Sequence, residues 1–316
     1  MPVASDRAPS FLLVRFSAIG DCVMASWAAT SIRNRFPTAR LVWAVESRCS
    51  PVIDDERLVT RLHEFPRDRW KSNRWSPDAW REQLLRHVEL RRERFDFGLD
   101  LQGHSKTAMC LRIASPGRRL AARGTDPLAR RLNPTLVEPP EVHTVDWNHR
   151  ALTHFDDFLL PDRPAMPQVP RPVEAELVTL SVAAGNDAKR YPNERWCKVA
   201  SVVRSEGFRV HVVGGPADPP LGDESVDLVG RLSLRGSMAE IASSRLHIAA
   251  DTGTGHIAAA YGVPSVSVFG PMHPDKYRPY GPLATVLHVS RDPKDVPVEE
   301  VISAVMCQLA RLRCAS

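Results

Sequence analysis

The order of apolar and polar residues predicts that strands and helices alternate along the first half of the chain. Residues 11–16 (FLLVRF) and 40–46 (RLVWAVE) form the short, nearly continuous apolar runs that are typical of buried strands. Between them, residues 22–36 have apolar side chains at helical spacing. The order of strand and helix is repeated further on, with a strand predicted at 95–101 and a helix at 105–115. A long charged helix is predicted at 75–94. Alternation of this kind predicts an α/β domain with an open parallel sheet covered on both faces.

The same alternation starts again in the second half. The predicted strands are 177–184, 209–215, 245–251 and 265–270, and the predicted helices are 193–206, 233–244, 253–262 and 298–314. The last of these helices is amphipathic and closes the chain. The second half is therefore predicted to be another parallel α/β domain.

A proline-rich stretch separates the two halves. Residues 159–176 (LLPDRPAMPQVPRPVEAE) contain five prolines, at positions 161, 164, 167, 170 and 172. Proline disrupts helix interiors and central strands alike, so this stretch is predicted to be a stiff, extended linker. We predict domains at 1–168 and 169–316, with ligands bound at the carboxyl ends of the strands and in a cleft between the domains. Residues 1–10 are predicted to be a short disordered tail.

Composition narrows the class of protein. The chain has 316 residues, of which 43% are hydrophobic and 25% are charged, as in ordinary globular proteins. No apolar run approaches the roughly 20 residues that span a bilayer, and the N-terminus does not resemble a secretory signal. The six cysteines are scattered, without metal-ligand spacing, which indicates free thiols in a reducing cytoplasm. A cytoplasmic protein without a transmembrane segment is therefore expected.

Positive charge is concentrated in one segment. The chain carries a net charge of +5, and residues 118–131 (RRLAARGTDPLARR) contain five arginines and one acid. Such a cluster indicates a solvated face, an anionic ligand, an anionic membrane surface or nucleic acid. Single-stranded nucleic acid is disfavoured because no aromatic residues lie among these arginines.

Two loops that follow predicted strands carry charged residues next to a turn. In SAIGDC, Gly20 permits a tight turn and Asp21 lies at the start of the next helix, where it is either a capping residue or a catalytic base. In VAAGNDAKRYP, Lys189 lies just before Pro192, where it is either a solvated lysine or a partner for phosphate.

A third loop is typical of phosphate binding. Asp251 ends a predicted strand, the small residues 252–255 form a turn, and His256 falls in the first turn of the next helix. Free N–H groups at a helix N-terminus bind anions, and glycine lets a phosphate approach the backbone. The spacing fits neither the P-loop nor G-x-G-x-x-G, which disfavours ATPases and dinucleotide-dependent oxidoreductases. After another predicted strand, Asp218 either binds a ribose or base or closes a turn.

Together these residues resemble the ADP-heptose:lipopolysaccharide heptosyltransferases of glycosyltransferase family 9. Residues 15–21 match the family's R-x-S-x-x-G-D motif, and residues 251–256 match D-T-G-x-x-H. Residues 189–192 match the family's K-x-W-P loop, with Tyr191 in place of tryptophan. The segment DLQGHSKTA, at 100–108, is similar to the family's acceptor-side strand and loop.

The resemblance implies a GT-B fold, in which two Rossmann-like domains with parallel sheets face an interdomain cleft. The first domain would bind the acceptor, the second would bind the nucleotide-sugar, and the final helix would pack back on the first domain. The implied reaction is an inverting transfer of heptose from ADP-heptose to an anionic lipopolysaccharide inner-core acceptor. Asp21 would be the general base, and Lys189 with the 252–255 turn would stabilise the leaving diphosphate without a metal or other cofactor.

Further roles follow from the same resemblance. Asp251 would hold sugar hydroxyls, His256 would contact the diphosphate, and the arginine-rich segment would face an anionic glycolipid at the inner face of the inner membrane. No contact with nucleic acid is expected. The implied donor-binding residues are Asp251, Thr252, Gly253, Thr254, Gly255, His256, Leu232 and Asp218, and the implied acceptor-binding residues are Ser17, Gly20, Lys106 and Arg123.

Two alternatives keep the fold but change the function. One is a related transferase that uses another nucleotide-sugar. The other is a non-catalytic protein that binds nucleotide-sugars, which is disfavoured because the base motif and the phosphate motif are both intact.

Overall fold

The computed structural model describes residues 7–169 and 172–314. The chain divides into two compact units, Met1–Pro167 and Gln168–Ser316. Residues 1–6 of the predicted tail and Pro170 of the predicted linker lie outside the described residues, whereas Ser10 already belongs to the first strand. Which unit binds the acceptor and which the donor stays a prediction.

The first unit contains a five-stranded parallel sheet. Its strands are Ser10–Val14 (β1), Arg40–Glu46 (β2), Arg61–Phe65 (β3), Phe97–Asp100 (β4) and Arg118–Ala121 (β5). Its helices are Ile19–Arg35 (α1), Arg67–Ser72 (α2), Pro77–Arg92 (α3), Ser105–Ala114 (α4), Pro127–Leu132 (α5) and Thr144–Leu152 (α6). The strand order is β3-β2-β1-β4-β5, so β1 pairs with β2 on one side and with β4 on the other. The order reverses between β1 and β4, and at such a switch point the loops at the carboxyl ends diverge and leave a crevice.

The second unit contains a six-stranded parallel sheet. Its strands are Leu177–Ser181 (β6), Arg209–Val213 (β7), Val226–Asp227 (β8), Leu246–Ala250 (β9), Ser265–Val268 (β10) and Ala284–Leu287 (β11). Its helices are Asn193–Ser205 (α7), Leu234–Ser243 (α8), Gly253–Tyr261 (α9), Pro274–Tyr277 (α10) and Val298–Cys314 (α11). The strand order is β11-β10-β9-β6-β7-β8, which places the switch point between β6 and β9. Two parallel α/β units confirm the predicted fold class.

Each unit has its own apolar core. In the first, Leu12 of β1 packs with Phe65 of β3 and Leu111 of α4, all of them buried. In the second, Trp196 of α7 is buried beside the apolar face of α11, which contributes Val298, Val301, Val305 and Leu309. The apolar face of α11 is thus used within the second unit, and its expected packing on the first domain stays a prediction.

Local differences from the sequence prediction matter for the site. The strand predicted at 11–16 ends at Val14, and α1 begins at Ile19 instead of residue 22. Gly20 and Asp21 therefore lie inside the first helical turn. The helix predicted at 75–94 is shorter, because Pro77 takes its first position, where a missing N–H costs nothing.

The cysteines and helix lengths agree with the composition. All six cysteines are free, and Cys22, Cys49 and Cys110 are buried. Within the described ranges, no helix combines the length and the apolarity that crossing a bilayer would require.

Candidate active site

Asp21 is held at both carboxylate oxygens and remains accessible. The N–H of Ala18, which precedes α1, donates a hydrogen bond of 3.0 Å to Oδ2. Nη2 of Arg15 lies 2.7 Å from Oδ1. The Asp21 side chain keeps 29% of its surface exposed, against 9% for Arg15. A substrate can therefore reach the carboxylate, while the guanidinium that holds it lies beneath the surface.

The loop that follows β4 supports the loop that carries Asp21. The Gln102 side-chain oxygen accepts hydrogen bonds from the N–H groups of Phe16, at 2.8 Å, and Ser17, at 3.4 Å. Nη1 of Arg15 donates to the Leu101 carbonyl at 2.7 Å. These bonds join the two chain segments that flank the switch point of the first sheet. No role was predicted for Gln102 from the sequence, although a polar residue directly after an apolar strand is a signal for such a position.

Asp100 stabilises this supporting loop through hydrogen bonds to its backbone. It ends β4 and is fully buried, and its Oδ1 accepts the N–H groups of Gln102 and Gly103, both at 2.9 Å. Burial raises the pKa of Asp100 to about 6, because the charged form is costly in an apolar surrounding. Sequence reasoning did not assign Asp100 a role either.

Lys106 belongs to a group of cations at the carboxyl edge of the first sheet. Its pKa is lowered, first by the positive charge of Arg67, then by burial and by Lys71. Arg67 is itself anchored, since its Nη1 lies 2.6 Å from Oε1 of the buried Glu46. An acceptor contact by Lys106 stays a prediction, and its cationic neighbours Arg67 and Lys71 lie outside the arginine-rich segment.

Arg123 has partners inside the first unit. Its Nη1 donates to the Leu101 carbonyl at 2.7 Å, and its Nη2 lies 2.8 Å from Oε1 of Glu138. In the same segment, Arg118 donates to two backbone carbonyls that follow α6. Part of the arginine-rich segment therefore stabilises the first unit. Contact between Arg123 and the acceptor stays a prediction. It would have to use N–H groups of Arg123 that do not already donate to Leu101 and Glu138.

The second unit brings Lys189 and Asp251 together. Lys189 lies in a short 3-10 helix after β6, and Asp251 directly follows β9, the neighbouring strand. Nζ of Lys189 is 2.6 Å from Oδ2 of Asp251. Asp251 is buried, with 6% of its side chain exposed, whereas Lys189 keeps 19%. The ammonium group is thus fixed on the solvent side of the carboxylate, at the second switch point.

The predicted phosphate turn forms the start of α9. Thr252 is the residue before the helix, its hydroxyl lies 2.9 Å from that of Thr254, and Gly253 is the first helical residue. The first N–H groups of a helix have no acceptor within the helix and carry its positive dipole end. Gly255 is packed closely, because a Cβ there would lie 3.2 Å from both Pro279 Cγ and Ser267 Oγ. His256, in the same turn, is buried.

Two further predicted donor contacts lie on loops of the second unit. Oδ2 of Asp218 accepts the N–H of Gly215 at 2.8 Å and so closes the turn after β7. Leu232 is half-buried just before Ser233, whose hydroxyl caps α8. Asp218 is therefore a turn residue here, and a donor contact by either residue stays a prediction.

Known structures define the class of this fold. The chain matches the "E. coli heptosyltransferase WaaC with ADP" with a TM-score of 0.81 and 21% identity, over 95% of this chain and 99% of that one. It matches the "Structure of E. coli ADP-heptose lps heptosyltransferase II" with a TM-score of 0.76 and 20% identity, over 96% and 99%. The two parallel-sheet units thus have the GT-B fold.

The family follows from the sequence comparison. The model of "Glycosyltransferase family 9 (heptosyltransferase)" matches residues 84–301, and the chain belongs to this family of enzymes. It is 28% identical to lipopolysaccharide heptosyltransferase 1 of Pseudomonas aeruginosa over 299 residues, which cover 85% of this chain and 81% of that protein. Identity to lipopolysaccharide heptosyltransferase 1 of Escherichia coli K12 is 23% over 302 residues, 89% of this chain and 94% of that protein. The resemblance to the family is therefore confirmed.

Proposed function

We propose that this glycosyltransferase moves a heptose from ADP-heptose to an anionic inner-core acceptor of lipopolysaccharide, with inversion at the anomeric carbon. The observation that carries the proposal is the accessible Asp21 carboxylate, held by Arg15 and by the Ala18 N–H at a sheet switch point. The names of the relatives that the chain matches, lipopolysaccharide heptosyltransferases 1 and 2, support the substrate class.

Asp21 acts as the general base. It takes the proton from an acceptor hydroxyl while the oxygen of that hydroxyl attacks the anomeric carbon of the donor sugar. The bond from this carbon to the diphosphate breaks on the opposite face, and ADP leaves with the bonding electrons. The cation of Arg15 favours the charged carboxylate that a base requires. Ser17 and Gly20, on the same turn, would border the acceptor.

The leaving diphosphate is stabilised by fixed positive groups. Lys189 provides a full charge, and the N–H groups of residues 253–255 provide the dipole end of α9. Asp251 positions the lysine ammonium through the 2.6 Å contact, and in this proposal it would also accept hydrogen bonds from sugar hydroxyls. His256 would reach the diphosphate from the first turn. In this proposal these groups carry the phosphate charge without a metal ion.

The acceptor is held by cations of the first unit. The positive charge of Lys106 is repelled by those of Arg67 and Lys71. An anionic ligand bound between them would reduce this repulsion. Carboxylates and phosphates of an inner-core glycolipid have the required charge. The proposal requires the acceptor site and the donor site to meet during the reaction, which closure of the two units would achieve.

A thermal-shift panel with ADP-, UDP-, GDP- and dTDP-sugars tests the donor. A ligand that binds only the folded state raises the melting temperature, so we expect selective stabilisation by ADP-heptose and ADP. Selective stabilisation by UDP-sugars would contradict the proposed donor and favour a family member that uses another nucleotide-sugar. Transfer of heptose to acceptor in a product assay would exclude a non-catalytic binding protein.

A further inference from the structure

Three large apolar side chains are exposed in the segment that contains α2 and α3. Trp75 has 82% of its surface exposed, Trp80 has 62% and Leu84 has 62%. Trp80 and Leu84 are one helical turn apart and share a face of α3, whereas Ala79 and Leu90 of the same helix are buried. The helix therefore has a second apolar face that the fold of the first unit does not cover. Clustered exposure of this kind marks an interaction site.

The segment that carries these side chains is rich in arginine. Residues 67–94 contain nine Arg or Lys and five Asp or Glu. Within the described part of the chain, Arg74, Arg81 and Arg92 have no ion-pair partner, and all three are exposed. The Arg74 guanidinium lies 5.3 Å from the ring centre of Trp75. The backbone carbonyl of Arg74 accepts a hydrogen bond of 3.0 Å from Nε1 of Trp80. We name Trp75, Trp80 and Leu84 with Arg74, Arg81 and Arg92 the docking face.

We propose that the docking face binds the surface of an anionic phospholipid bilayer. Tryptophan and leucine on one helix face insert at the boundary between headgroups and acyl chains, and neighbouring arginines bind lipid phosphates. The arginines can extend their charged groups toward the headgroups while their stems stay beside the apolar side chains. A second copy of this chain is a poorer partner, because two faces with the same excess of positive charge repel each other.

The docking face follows the acceptor-side cations Arg67 and Lys71 directly along the chain. The helix α2 directly follows the carboxyl end of β3. Its residues Arg67 and Lys71 lower the pKa of Lys106 through their positive charges. A glycolipid acceptor keeps its acyl chains in the membrane and projects its anionic sugars outward. Docking through α3 would therefore hold those sugars near these cations. This last step rests on the proposed function, whereas bilayer binding itself does not.

Flotation of the full chain with vesicles tests the proposal. We expect it to float with vesicles of phosphatidylcholine mixed with phosphatidylglycerol, and at least about tenfold less with phosphatidylcholine alone. A Trp75→Ser/Trp80→Ser variant should lose about tenfold or more of the binding to anionic vesicles. An Arg74→Gln/Arg81→Gln variant should bind more weakly and with less dependence on salt. Val137→Ser/Leu159→Ser removes two exposed apolar side chains elsewhere, 90% and 82% exposed, and should bind like the wild type.

The outcomes separate docking from catalysis. The vesicles contain no acceptor, so their binding does not depend on whether the enzyme transfers heptose. Circular dichroism and the melting temperature show that each variant is folded. The proposal is overturned if the wild type does not bind anionic vesicles or if the tryptophan variant binds as well as the wild type. It is also overturned if the sole effect of the Trp75→Ser/Trp80→Ser substitutions is the loss of a self-association detected by sedimentation. Quenching of tryptophan fluorescence by brominated lipid, lost in the tryptophan variant, would support it.

Discussion

The Asp21 carboxylate is held by a hydrogen bond and an ion pair and is still accessible to a substrate. One oxygen accepts the Ala18 N–H at the start of α1, and the other pairs with the buried Arg15. The sequence left open whether this carboxylate caps the helix or acts as a base. The geometry makes both roles compatible, because the groups that hold the carboxylate leave 29% of its side chain exposed.

Replacing Asp21 tests the proposed base. Asp21→Asn keeps an oxygen for the Ala18 N–H but cannot take a proton, so kcat should fall by about 10²-fold or more while affinity for ADP stays unchanged. Asp162→Asn, which alters an exposed carboxylate of the linker, is the matched control and should have wild-type kinetics. An Asp21→Asn enzyme with wild-type kcat would rule Asp21 out as the base.

Gln102 is predicted to be a positioning residue. Gln102→Leu removes the acceptor for two N–H groups of the loop before Asp21, and misplacement of the base should lower kcat by about 10- to 100-fold. The KM for ADP-heptose should change little, because the residue lies in the other unit from Lys189. Gln102→Glu supplies a carboxylate oxygen for the same donors and should restore most of the rate in steady-state assays. If Gln102→Glu is as impaired as Gln102→Leu, the hydrogen bonds are not the reason for the loss.

Lys189 is predicted to contribute to nucleotide binding. Lys189→Ala removes a charge-assisted contact with the diphosphate, so ADP should bind about 10- to 100-fold more weakly by calorimetry. The variant also leaves Asp251 without its cation, and the melting temperature should fall. Lys198→Ala, on the exposed side of α7, should change neither quantity. Unchanged ADP affinity in Lys189→Ala would contradict the assigned role.

At the scale of elements, two segments that connect strands and helices contain a glycine with a left-handed backbone. Gly103 follows β4 with φ +75°, and a Cβ there would overlap the backbone carbonyl of Arg123. Gly207 has φ +88° at the end of α7, but a Cβ there would have nothing within 4 Å. The two glycines thus share a left-handed conformation and differ in the space around them.

This contrast predicts two different costs. Gly207→Ala should lower the free energy of unfolding by about 1 kcal/mol, since only the conformation is unfavourable. Gly103→Ala should cost more than about 2 kcal/mol, because the loop or its neighbour must also move. Urea unfolding of both variants measures the difference. Equal costs would show that the loop after β4 is free to rearrange.

The sequence predicts central elements better than edge elements. β1 and β9 are buried along their whole length, so their apolar runs identified them. β5, with the sequence RRLA, was missed because its strand conformation comes from pairing with β4 at the edge of the sheet. β3 was missed for the same reason, since RLHEF carries three polar or charged residues and pairs only with β2.

The same limit applies to the site. The motifs predicted Asp21, Lys189 and Asp251 as site residues, because the expected chemistry uses a carboxylate and an ammonium group on loops that follow strands. They could not give the ion pair between Lys189 and Asp251, which depends on β6 and β9 being neighbours in the sheet. Nor could they give the support of the Asp21 loop by Gln102, 86 residues away from Phe16.

At the scale of the whole molecule, each unit contains a buried histidine whose pKa is lowered by burial. Burial lowers the pKa of His63 to about 4 and that of His247 to about 3. The unfolded state takes up these protons near pH 6.5, so the stability that the two neutral histidines contribute above that pH is lost as the pH falls. Asp100 acts in the opposite direction between about pH 4 and 6, because its pKa is raised to about 6. Burial also lowers the pKa of His87, so the histidines together outweigh Asp100, and we expect a net loss of stability toward pH 4.

His63→Leu should reduce this sensitivity to acid. The substitution removes one of the protonation sites, so the loss of unfolding free energy between pH 7 and about pH 4.5 should shrink by about 2 kcal/mol. His273→Leu, at an exposed position, should leave the loss unchanged. Urea unfolding at the two pH values measures both. A wild-type pH dependence in His63→Leu would show that His63 is not kept neutral by the fold.

The central claim is that this chain transfers heptose from ADP-heptose with Asp21 as the base. Mass spectrometry of a reaction that contains ADP-heptose and a heptose-free lipopolysaccharide acceptor tests it most directly. We expect the acceptor to gain the mass of one heptose residue and ADP to appear in equal amount, with both products formed at least about 10²-fold more slowly by Asp21→Asn. An acceptor that stays unmodified with ADP-heptose but gains a sugar from another nucleotide-sugar would contradict the account.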